Sequence, residues 1–151
     1  MPNDNRVHLV FLNHGLKTLA PIPFSDLYID ARSCADAARG GYERRESRKD
    51  WVSKGVYNVE SGIDTGDDKA VQNWVLGRSP KSFTAFQLQI EEAIKRIPSR
   101  REEEKDPFAK PFIVCFLCAY GVHRSRAAKH IMARVFAEES YSNLVRKVEV
   151  R

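Results

Sequence analysis

Apolar positions along the chain recur with two spacings, which together predict strands alternating with helices. Short runs rich in β-branched residues predict strands at residues 7–12 and 26–31, and the unbroken apolar run at 111–118, PFIVCFLC, predicts a strand buried on both faces. From residue 79 to residue 97, apolar side chains recur at spacings of three and four, which predicts an amphipathic helix closed by Pro98. The inward positions of this helix are Phe83, Phe86, Ile90, Ile94 and Ile97.

The remaining segments continue this alternation. Residues 65–77 predict a helix with polar capping residues, and residues 125–139 predict another helix. Residues 55–61 predict a short extended segment, and residues 144–151 predict a closing strand. The apolar faces of the two helices are Val71, Trp74 and Val75 in the first, and Ala128, Ile131, Val135 and Phe136 in the second. This order is typical of an α/β fold, and we expect a single three-layer domain with a mainly parallel sheet.

Basic residues cluster between the second predicted strand and the first predicted helix. Residues 32–55 carry five Arg and two Lys among 24 residues, so we expect a basic surface insert at about residues 33–55, with Trp51 as its apolar anchor. Residues 100–107, RREEEKDP, predict a solvated charge run. The net charge of +5 and the pI near 9.2 favour anionic partners such as nucleic acid or phosphorylated metabolites. A mildly basic protein without such a partner fits the charge equally well.

Length and composition bound the class of protein. At 151 residues the chain fits one domain with one core, and contents of 42% hydrophobic and 30% charged residues are typical of globular proteins. The opening MPNDNRVHLVFLNHG shows neither a signal-peptide pattern nor a long apolar segment. We therefore expect a cytoplasmic protein with no membrane partner. A homo-oligomer is as compatible with the sequence as a monomer.

The three cysteines are an odd number, which argues against a disulfide framework and fits a reducing compartment. Cys115 and Cys118 have Cys-x-x-Cys spacing, but one such pair lacks the four ligands of a structural zinc site. The pair lies at the end of a predicted strand rather than at the start of a helix, so thioredoxin-like redox chemistry is not expected. We expect Cys115 in the core, and neither a metal nor a cofactor.

The loop CAYGVHRS, residues 118–125, joins the buried strand to the last helix. In parallel α/β sheets, ligands bind beyond the carboxyl ends of the strands. Backbone N–H groups from 119 to 125, the positive end of the helix and the Arg124 guanidinium can converge there on one anion, and Ser125 can cap the helix or donate to the ligand. The pattern therefore predicts an anion cradle. The structural alternative is a glycine turn with an exposed arginine.

The same loop allows a catalytic interpretation. Cys118, five intervening residues, Arg124 and Ser125 form the signature of cysteine-dependent phosphatases, in which a thiolate at a helix N-terminus attacks phosphorus. Such an enzyme needs a general acid, for which the candidates are Asp64, Asp67 and Asp68. Each of these three is equally ordinary as a turn or N-cap residue. The catalytic set would then be Cys118, Arg124 and Asp68.

Three blocks in this order resemble the family of the C-terminal domain of RapZ, the bacterial RNase adapter protein. The family's Cys-x-Gly-Gly-x-His-Arg-Ser loop is similar to residues 118–125, with Tyr120 in place of one glycine. Its Asp-x-Arg after the second strand is matched by Asp30 and Arg32, and its Thr-Gly-x-Asp-x-x-Val segment is matched from Thr65. The Leu-Pro-Asn-Pro that usually follows Asp-x-Arg is replaced here by SCADAARGG and the basic insert.

The resemblance implies a non-enzymatic domain that binds a phosphorylated amino sugar or a similar anion, contacts RNA and acts as a regulatory adapter. The ligand-binding residues that it implies are Asp30, Arg32, Thr65, Cys118, Ala119, Tyr120, Gly121, Val122, His123, Arg124 and Ser125. The basic residues that could face RNA are Arg44, Arg45, Arg48, Lys49, Arg146, Lys147 and Arg151, for which a solvated face is the structural alternative.

Individual polar residues carry their own alternatives. His123 can donate to a phosphate, and the resemblance favours that role. Asp30 can form an ion pair with Arg32 or Arg124, or accept a hydrogen bond from a ligand amine or hydroxyl. The other three histidines are assigned to structure, packing or the surface: His8, His14 and His130.

Overall fold

The computed structural model describes residues 4–36 and 65–151, and within them four strands form one parallel sheet. In chain order the strands are β1 (Val7–Gly15), β2 (Leu27–Asp30), β3 (Phe112–Cys118) and β4 (Val145–Val150). Their order across the sheet is β2-β3-β1-β4, so β1 and β3 are central. The predicted α/β class with a mainly parallel sheet is confirmed. The extended segment predicted at 55–61, Trp51 and most of the basic insert lie outside the described residues.

The helices lie where the apolar spacing predicts them, with one difference. They are α1 (Lys69–Arg78), α2 (Pro80–Lys95), α3 (Ile97–Arg100) and α4 (Arg124–Phe136), with 3₁₀ turns at Ala31–Ser33 and Glu139–Tyr141. The long helix ends before Pro98 as predicted, but its last residue is Lys95 rather than Ile97, and Pro98 lies in the first turn of α3. Proline is tolerated there, since the first-turn N–H groups have no acceptor within the helix.

The central strands are held by their apolar side chains. β1 and β3 pair from Leu9 opposite Phe112 to Gly15 opposite Cys118. Side chains of β1 and β3 on one face join the helices in a single hydrophobic cluster, in which Phe11 stacks on Phe116 with ring centroids 6.1 Å apart. Val10 and Cys115, on the opposite face, are also fully buried. Burial on both faces explains the unbroken apolar run of β3 and is consistent with a three-layer domain.

The charged segment before β3 is not solvated throughout, contrary to prediction. The Arg101 guanidinium donates to the carbonyl oxygens of Pro107, Lys110 and Pro111, at 2.9, 3.0 and 3.2 Å respectively. It also lies 3.4 Å from the Asp26 carboxylate, whose other oxygen accepts from the backbone N–H of Ile113. Arg101 therefore holds the chain in place as it enters β3, because its donors satisfy carbonyls that would otherwise be left without partners.

The Cys-x-x-Cys pair lies within one extended strand. Three residues of strand span about 10 Å, and positions three apart point to opposite faces, so Cys115 and Cys118 cannot form a disulfide. Cys115 belongs to the core as predicted, and burial raises the pKa of its thiol to about 11. Burial likewise raises the pKa of Cys34 to about 12. Among the described residues, no helix is long and apolar enough to cross a membrane.

Candidate anion-binding site

The loop between β3 and α4 lies at the carboxyl end of the central strands. His123 occupies the N-cap position of α4, and no hydrogen bond from its side chain caps the helix among the residues that the structure describes. The first-turn amides of Arg124, Ser125 and Arg126 have no acceptor within the helix, and the aligned peptide dipoles make this end partially positive. The helix therefore presents donors and positive potential to the loop, as the anion-cradle prediction requires.

Two glycines let the loop fold back against the end of β1. Gly121 has a φ of +72°, a conformation that favours glycine. A Cβ atom at Gly15 would lie 2.4 Å from the carbonyl carbon of Tyr120, and a Cβ atom at Gly121 would lie 2.9 Å from the backbone nitrogen of Gly15. Parallel pairing continues past the strands, since Leu16 and Lys17 donate to the carbonyls of Cys118 and Ala119 at 2.8 and 2.7 Å.

The Thr-Gly-Asp-Asp segment supports the loop from the other side. The backbone N–H of Gly66 donates to the carbonyl of Val122 at 2.7 Å. A Cβ atom at Gly66 would lie 2.4 Å from the backbone nitrogen of Ala127, so glycine is needed for this close approach to α4. The Thr65 hydroxyl is buried and accepts from the backbone N–H of Asp67 at 3.2 Å. Thr65 therefore shapes the turn and does not line the cavity described next.

A small cavity of about 70 Å³ opens between the loop and the segments that follow β1 and β2. Its lining residues are Lys17, Asp36, Cys118, Ala119, Tyr120, Val122, His123 and Arg124. Six residues of the loop line the cavity, whereas Gly121 and Ser125 do not, and Lys17 and Asp36 line it without having been among the site residues expected from the sequence. Their position in the sequence could have indicated them, because each lies a few residues beyond a strand that ends at this edge of the sheet.

Arg124 is held at the cavity by two groups on the neighbouring segment. Its Nη1 donates to the backbone carbonyl of Arg32 at 3.1 Å, and its Nη2 lies 3.9 Å from the Asp36 carboxylate. Only 16% of its side chain is exposed. Since a guanidinium has five N–H donors, these contacts orient Arg124 and leave donors for an anion.

Asp30 and Arg32 lie beside this cavity without lining it. Their side chains form a two-pronged ion pair, with Arg32 Nη2 2.8 Å from Asp30 Oδ2 and Nε 3.0 Å from Oδ1. The hydrogen bonds from Arg32 hold the pKa of Asp30 below its usual range. Asp30 instead lines a wider cavity between β2 and α2, with Ser33, Lys81 and Gln89 among its neighbours. Asp30 and Arg32 thus adopt the ion-pair alternative weighed from the sequence, and only the Arg32 backbone touches Arg124.

The sulfur of Cys118 lies at the cavity, where it accepts a hydrogen bond from Gly121 and donates one to the Ser125 hydroxyl oxygen. The backbone N–H of Gly121 lies 3.2 Å from Sγ, and the Ser125 hydroxyl lies 3.0 Å from it. Ser125 is fully buried, so its hydroxyl points inward to the sulfur rather than outward to a ligand. Loop and helix are thereby joined through the sulfur.

Two of the three predicted general acids, Asp67 and Asp68, do not line the cavity. Asp68 caps α1 by accepting from the backbone N–H of Ala70 at 2.8 Å. Asp67 lies 2.7 Å from His130 Nε2 and 3.3 Å from Arg126 Nη1. Burial raises the pKa of Asp67, but the His130 hydrogen bond and the Arg126 charge lower it more, so it lies below its usual range. Asp64 lies outside the described residues.

The histidines divide between the cavity and the remainder of the fold. His123 is buried and lines the cavity, as the ligand hypothesis requires. His14 is buried near the end of β1 and is paired across the sheet with Leu117. His8 lies 3.3 Å from Glu149 at the sheet edge, and His130 contacts Asp67. The structural assignments of His8, His14 and His130 agree with these positions.

The basic residues of the last strand lie on a sheet edge. Arg146 and Lys147 are exposed on β4, whereas the Arg151 guanidinium is paired with the Glu149 carboxylate. That pairing leaves Arg146 and Lys147 as the stronger candidates for an anionic surface partner. The basic positions Arg44, Arg45, Arg48 and Lys49 lie outside the described residues.

Neither a metal cluster nor a family match directs the assignment of function. Within residues 4–36 and 65–151, no group of three or more His, Cys, Asp or Glu side chains could hold a metal ion. The sequence matches no model of a known protein family, and comparison with curated proteins finds no significant match. Function therefore has to be inferred from the geometry and chemistry of the site.

Replacement of Gly15 by alanine tests the close contact beneath the loop. The new Cβ would overlap the backbone of Tyr120, and such overpacking typically costs about 1–3 kcal/mol, so Gly15→Ala should lower the free energy of unfolding by that amount. Urea unfolding measures the change. The control is Gly77→Ala in α1, where a Cβ meets nothing within 4 Å and where alanine should stabilise the helix by roughly 0.5–1 kcal/mol. Equal effects of the two substitutions would contradict the tight contact.

Proposed function

We propose that this domain binds a phosphorylated small molecule through the loop at residues 118–125, without catalysing a reaction. The observation that carries the proposal is the cavity at the end of β3, where Arg124, Lys17 and the N-terminal end of α4 surround one small space. Cationic side chains and helix-terminal amides together favour an oxyanion such as a phosphoryl group. Regulation by the bound ligand, as in an adapter domain, is the biological role that we propose.

The size of the cavity limits what can enter it. A volume of about 70 Å³ is far below the roughly 300–1,000 Å³ of pockets that enclose whole drug-sized ligands. We infer that only the phosphoryl group enters and that the remainder of the ligand lies over the rim. Tyr120, which is 46% exposed, and Lys17, whose Nζ lies 5.4 Å from the centre of the Tyr120 ring, form that rim.

We further propose that the chain is a domain of the RapZ C-terminal type. Support comes from the way its three matching blocks assemble around one loop. The Thr65 block donates a backbone hydrogen bond to the loop, and the Asp30–Arg32 block supplies the carbonyl that holds Arg124. A phosphorylated amino sugar is the ligand that this likeness suggests, and Asp36 would be the cavity's acceptor for an amino or hydroxyl group.

Loss of the cavity arginine should weaken binding of phosphorylated ligands. A charge-assisted hydrogen bond contributes about 1.5–3 kcal/mol, so Arg124→Ala should lower the affinity by about ten- to a hundredfold. Calorimetric titration of sugar phosphates into both proteins measures this change. The control is Arg96→Ala, which removes the same charge from an exposed position at the end of α2. Equal affinities of wild type and Arg124→Ala would reject the cradle.

The second candidate function is a cysteine-dependent phosphatase. Two observations favour it: Cys118 Sγ accepts a hydrogen bond from the Gly121 N–H and contacts the Ser125 hydroxyl, and the Asp36 carboxylate lines the same cavity. Asp36 would replace Asp67 and Asp68, which are engaged elsewhere. A general acid must face the leaving-group oxygen, on the far side of phosphorus from the sulfur. Asp36 instead lies 3.9 Å from Arg124, the group that would hold the phosphoryl oxygens, so we rank binding above catalysis.

Replacement of Cys118 by serine separates the two functions. A binding domain should keep its ligand affinity, because the amides and Arg124 remain, and neither protein should hydrolyse an aryl phosphate above background between about pH 5 and 7. A phosphatase would lose nearly all turnover in Cys118→Ser, since the serine hydroxyl stays protonated and is a poor nucleophile. Turnover by wild type that disappears in Cys118→Ser and falls in Asp36→Asn would establish the phosphatase instead.

RNA is the second partner that we propose, with contacts to the phosphate backbone through the exposed edge of β4. Three cationic contacts imply that binding weakens roughly 20–40-fold between about 50 and 200 mM salt. Gel shifts with a structured RNA at the two ionic strengths measure this dependence. Joint replacement of Arg146, Lys147 and Arg151 by alanine should abolish the shift, whereas joint replacement of Lys95, Arg96 and Lys105 should preserve it. No shift at low salt would leave the basic edge as a solvated surface.

A further inference from the structure

A line of polar side chains runs beneath the cradle loop, from the buried Lys129 through the half-buried Asn13 to the buried Ser125. Lys129 lies on α4 with 8% of its surface exposed, and burial lowers its pKa. Its Nζ donates to Asn13 Oδ1 at 2.6 Å and to the carbonyl oxygen of Arg151 at 3.0 Å. A buried ammonium is costly without such partners, so these contacts explain how the charge is accommodated, and they link α4 to β1 and to the residue that follows β4.

Lys129 determines which way the Asn13 amide faces. An ammonium group only donates hydrogen bonds, so the atom of Asn13 that faces Lys129 must be the oxygen. The amide nitrogen is therefore turned toward the loop, where it donates to the carbonyl of Gly121 at 3.1 Å and lies 3.5 Å from Ser125 Oγ. A Gly121 carbonyl that is bonded to Asn13 cannot face an anion in the cavity.

Asn13 in turn determines the direction of the Ser125 hydroxyl. In the thiol form, Cys118 Sγ donates to Ser125 Oγ at 3.0 Å. A Cys118 thiolate can only accept, so the Ser125 hydroxyl would then donate to the sulfur, while the Asn13 amide nitrogen, 3.5 Å from Oγ, remains a donor on the other side of that oxygen. The backbone N–H of Gly121 donates to the same sulfur at 3.2 Å. For the thiolate, each hydrogen bond thus sets the direction of the next, from the Lys129 ammonium to the Cys118 sulfur.

We propose that Lys129 and Asn13 are positioning residues of the cradle. They hold the Gly121 carbonyl away from the anion, and they direct the Ser125 hydroxyl onto Cys118 when its sulfur is a thiolate. The inference rests on the proposed phosphoryl-binding function of the loop and deepens it. It also has a consequence for Cys118 that does not depend on any ligand, because the hydrogen bonds to the sulfur are made within the protein itself.

The decisive variant is Asn13→Asp, which keeps an oxygen for Lys129 and replaces the donor by an acceptor. The fold should be retained, since the carboxylate forms an ion pair with Lys129. The second carboxylate oxygen would repel the Gly121 carbonyl and attract the Ser125 proton away from Cys118. Asn143→Asp is the matched control, because it adds the same charge in an exposed turn.

Two measurements follow the effect. Calorimetric titration of inorganic phosphate should show roughly tenfold weaker binding to Asn13→Asp than to wild type and Asn143→Asp. Alkylation of Cys118 by iodoacetamide, followed by peptide mapping, should slow by roughly tenfold, because the reagent reacts with the thiolate and donated hydrogen bonds stabilise it. A purely structural role for Asn13 would leave the alkylation rate of the folded protein unchanged.

Thermal unfolding confirms that the variants are folded. Lys129→Met removes the ammonium but keeps an unbranched side chain, so it repeats the test at the Lys129 end of the hydrogen-bonded line.

The outcomes distinguish this inference from the proposed function. Phosphate affinity and alkylation rate that both fall in Asn13→Asp support the positioning role. Unchanged values of both in a folded Asn13→Asp overturn that role, while phosphate binding by wild type would still support the cradle. If wild type binds no phosphate but its alkylation rate exceeds that of Asn13→Asp, the positioning of Cys118 stands and the phosphoryl-binding function fails.

Discussion

The close contact between the end of β1 and the loop after β3 is the constraint on which the site depends. Parallel pairing brings Gly15 opposite Cys118, and the absence of side chains at Gly15 and Gly121 lets the loop backbone rest on the strand. This contact turns the chain sharply, so that α4 starts with its amides at the edge of the sheet. A bulkier residue at either glycine would move the loop, the start of α4 and Arg124 together, because all three belong to one continuous segment.

The cavity combines charges of both signs, which narrows the chemistry that it can support. Arg124 and Lys17 favour an anion, while Asp36 would repel an anion that approached it closely. A ligand with a phosphoryl group at one end and a donor such as an amine or hydroxyl beside it satisfies both demands. A free inorganic anion satisfies the two cationic side chains but offers no donor of this kind to Asp36. This asymmetry favours selective recognition of a phosphorylated metabolite over general anion binding.

The position of Cys118 is compatible with both candidate functions, ligand binding and phosphatase catalysis. Its sulfur joins the loop to α4 through Gly121 and Ser125, which is a structural role that a binding domain can use. In an enzyme, the Gly121 N–H and a Ser125 hydroxyl turned toward the sulfur would stabilise a nucleophilic thiolate. An enzyme would need a general acid across the cavity from the sulfur. Asp36 is oriented toward Arg124 instead, which favours binding over catalysis.

The sequence by itself determined the α/β class, the order of the elements and the location of the loop. These follow from local physics, since apolar periodicity distinguishes strands from helices and a glycine-containing loop between a buried strand and a helix predicts an anion site. The strand order and the partners across the loop required the tertiary structure. Asn13 and Lys17, Asp36, and Lys129 belong to three separate parts of the chain, and only strand pairing and helix packing bring those parts to the loop. Asp30 pairs with Arg32, two residues away, which is an alternative that the local sequence could propose but not decide. Asp67 pairs with His130, which is 63 residues away and comes near only through tertiary packing.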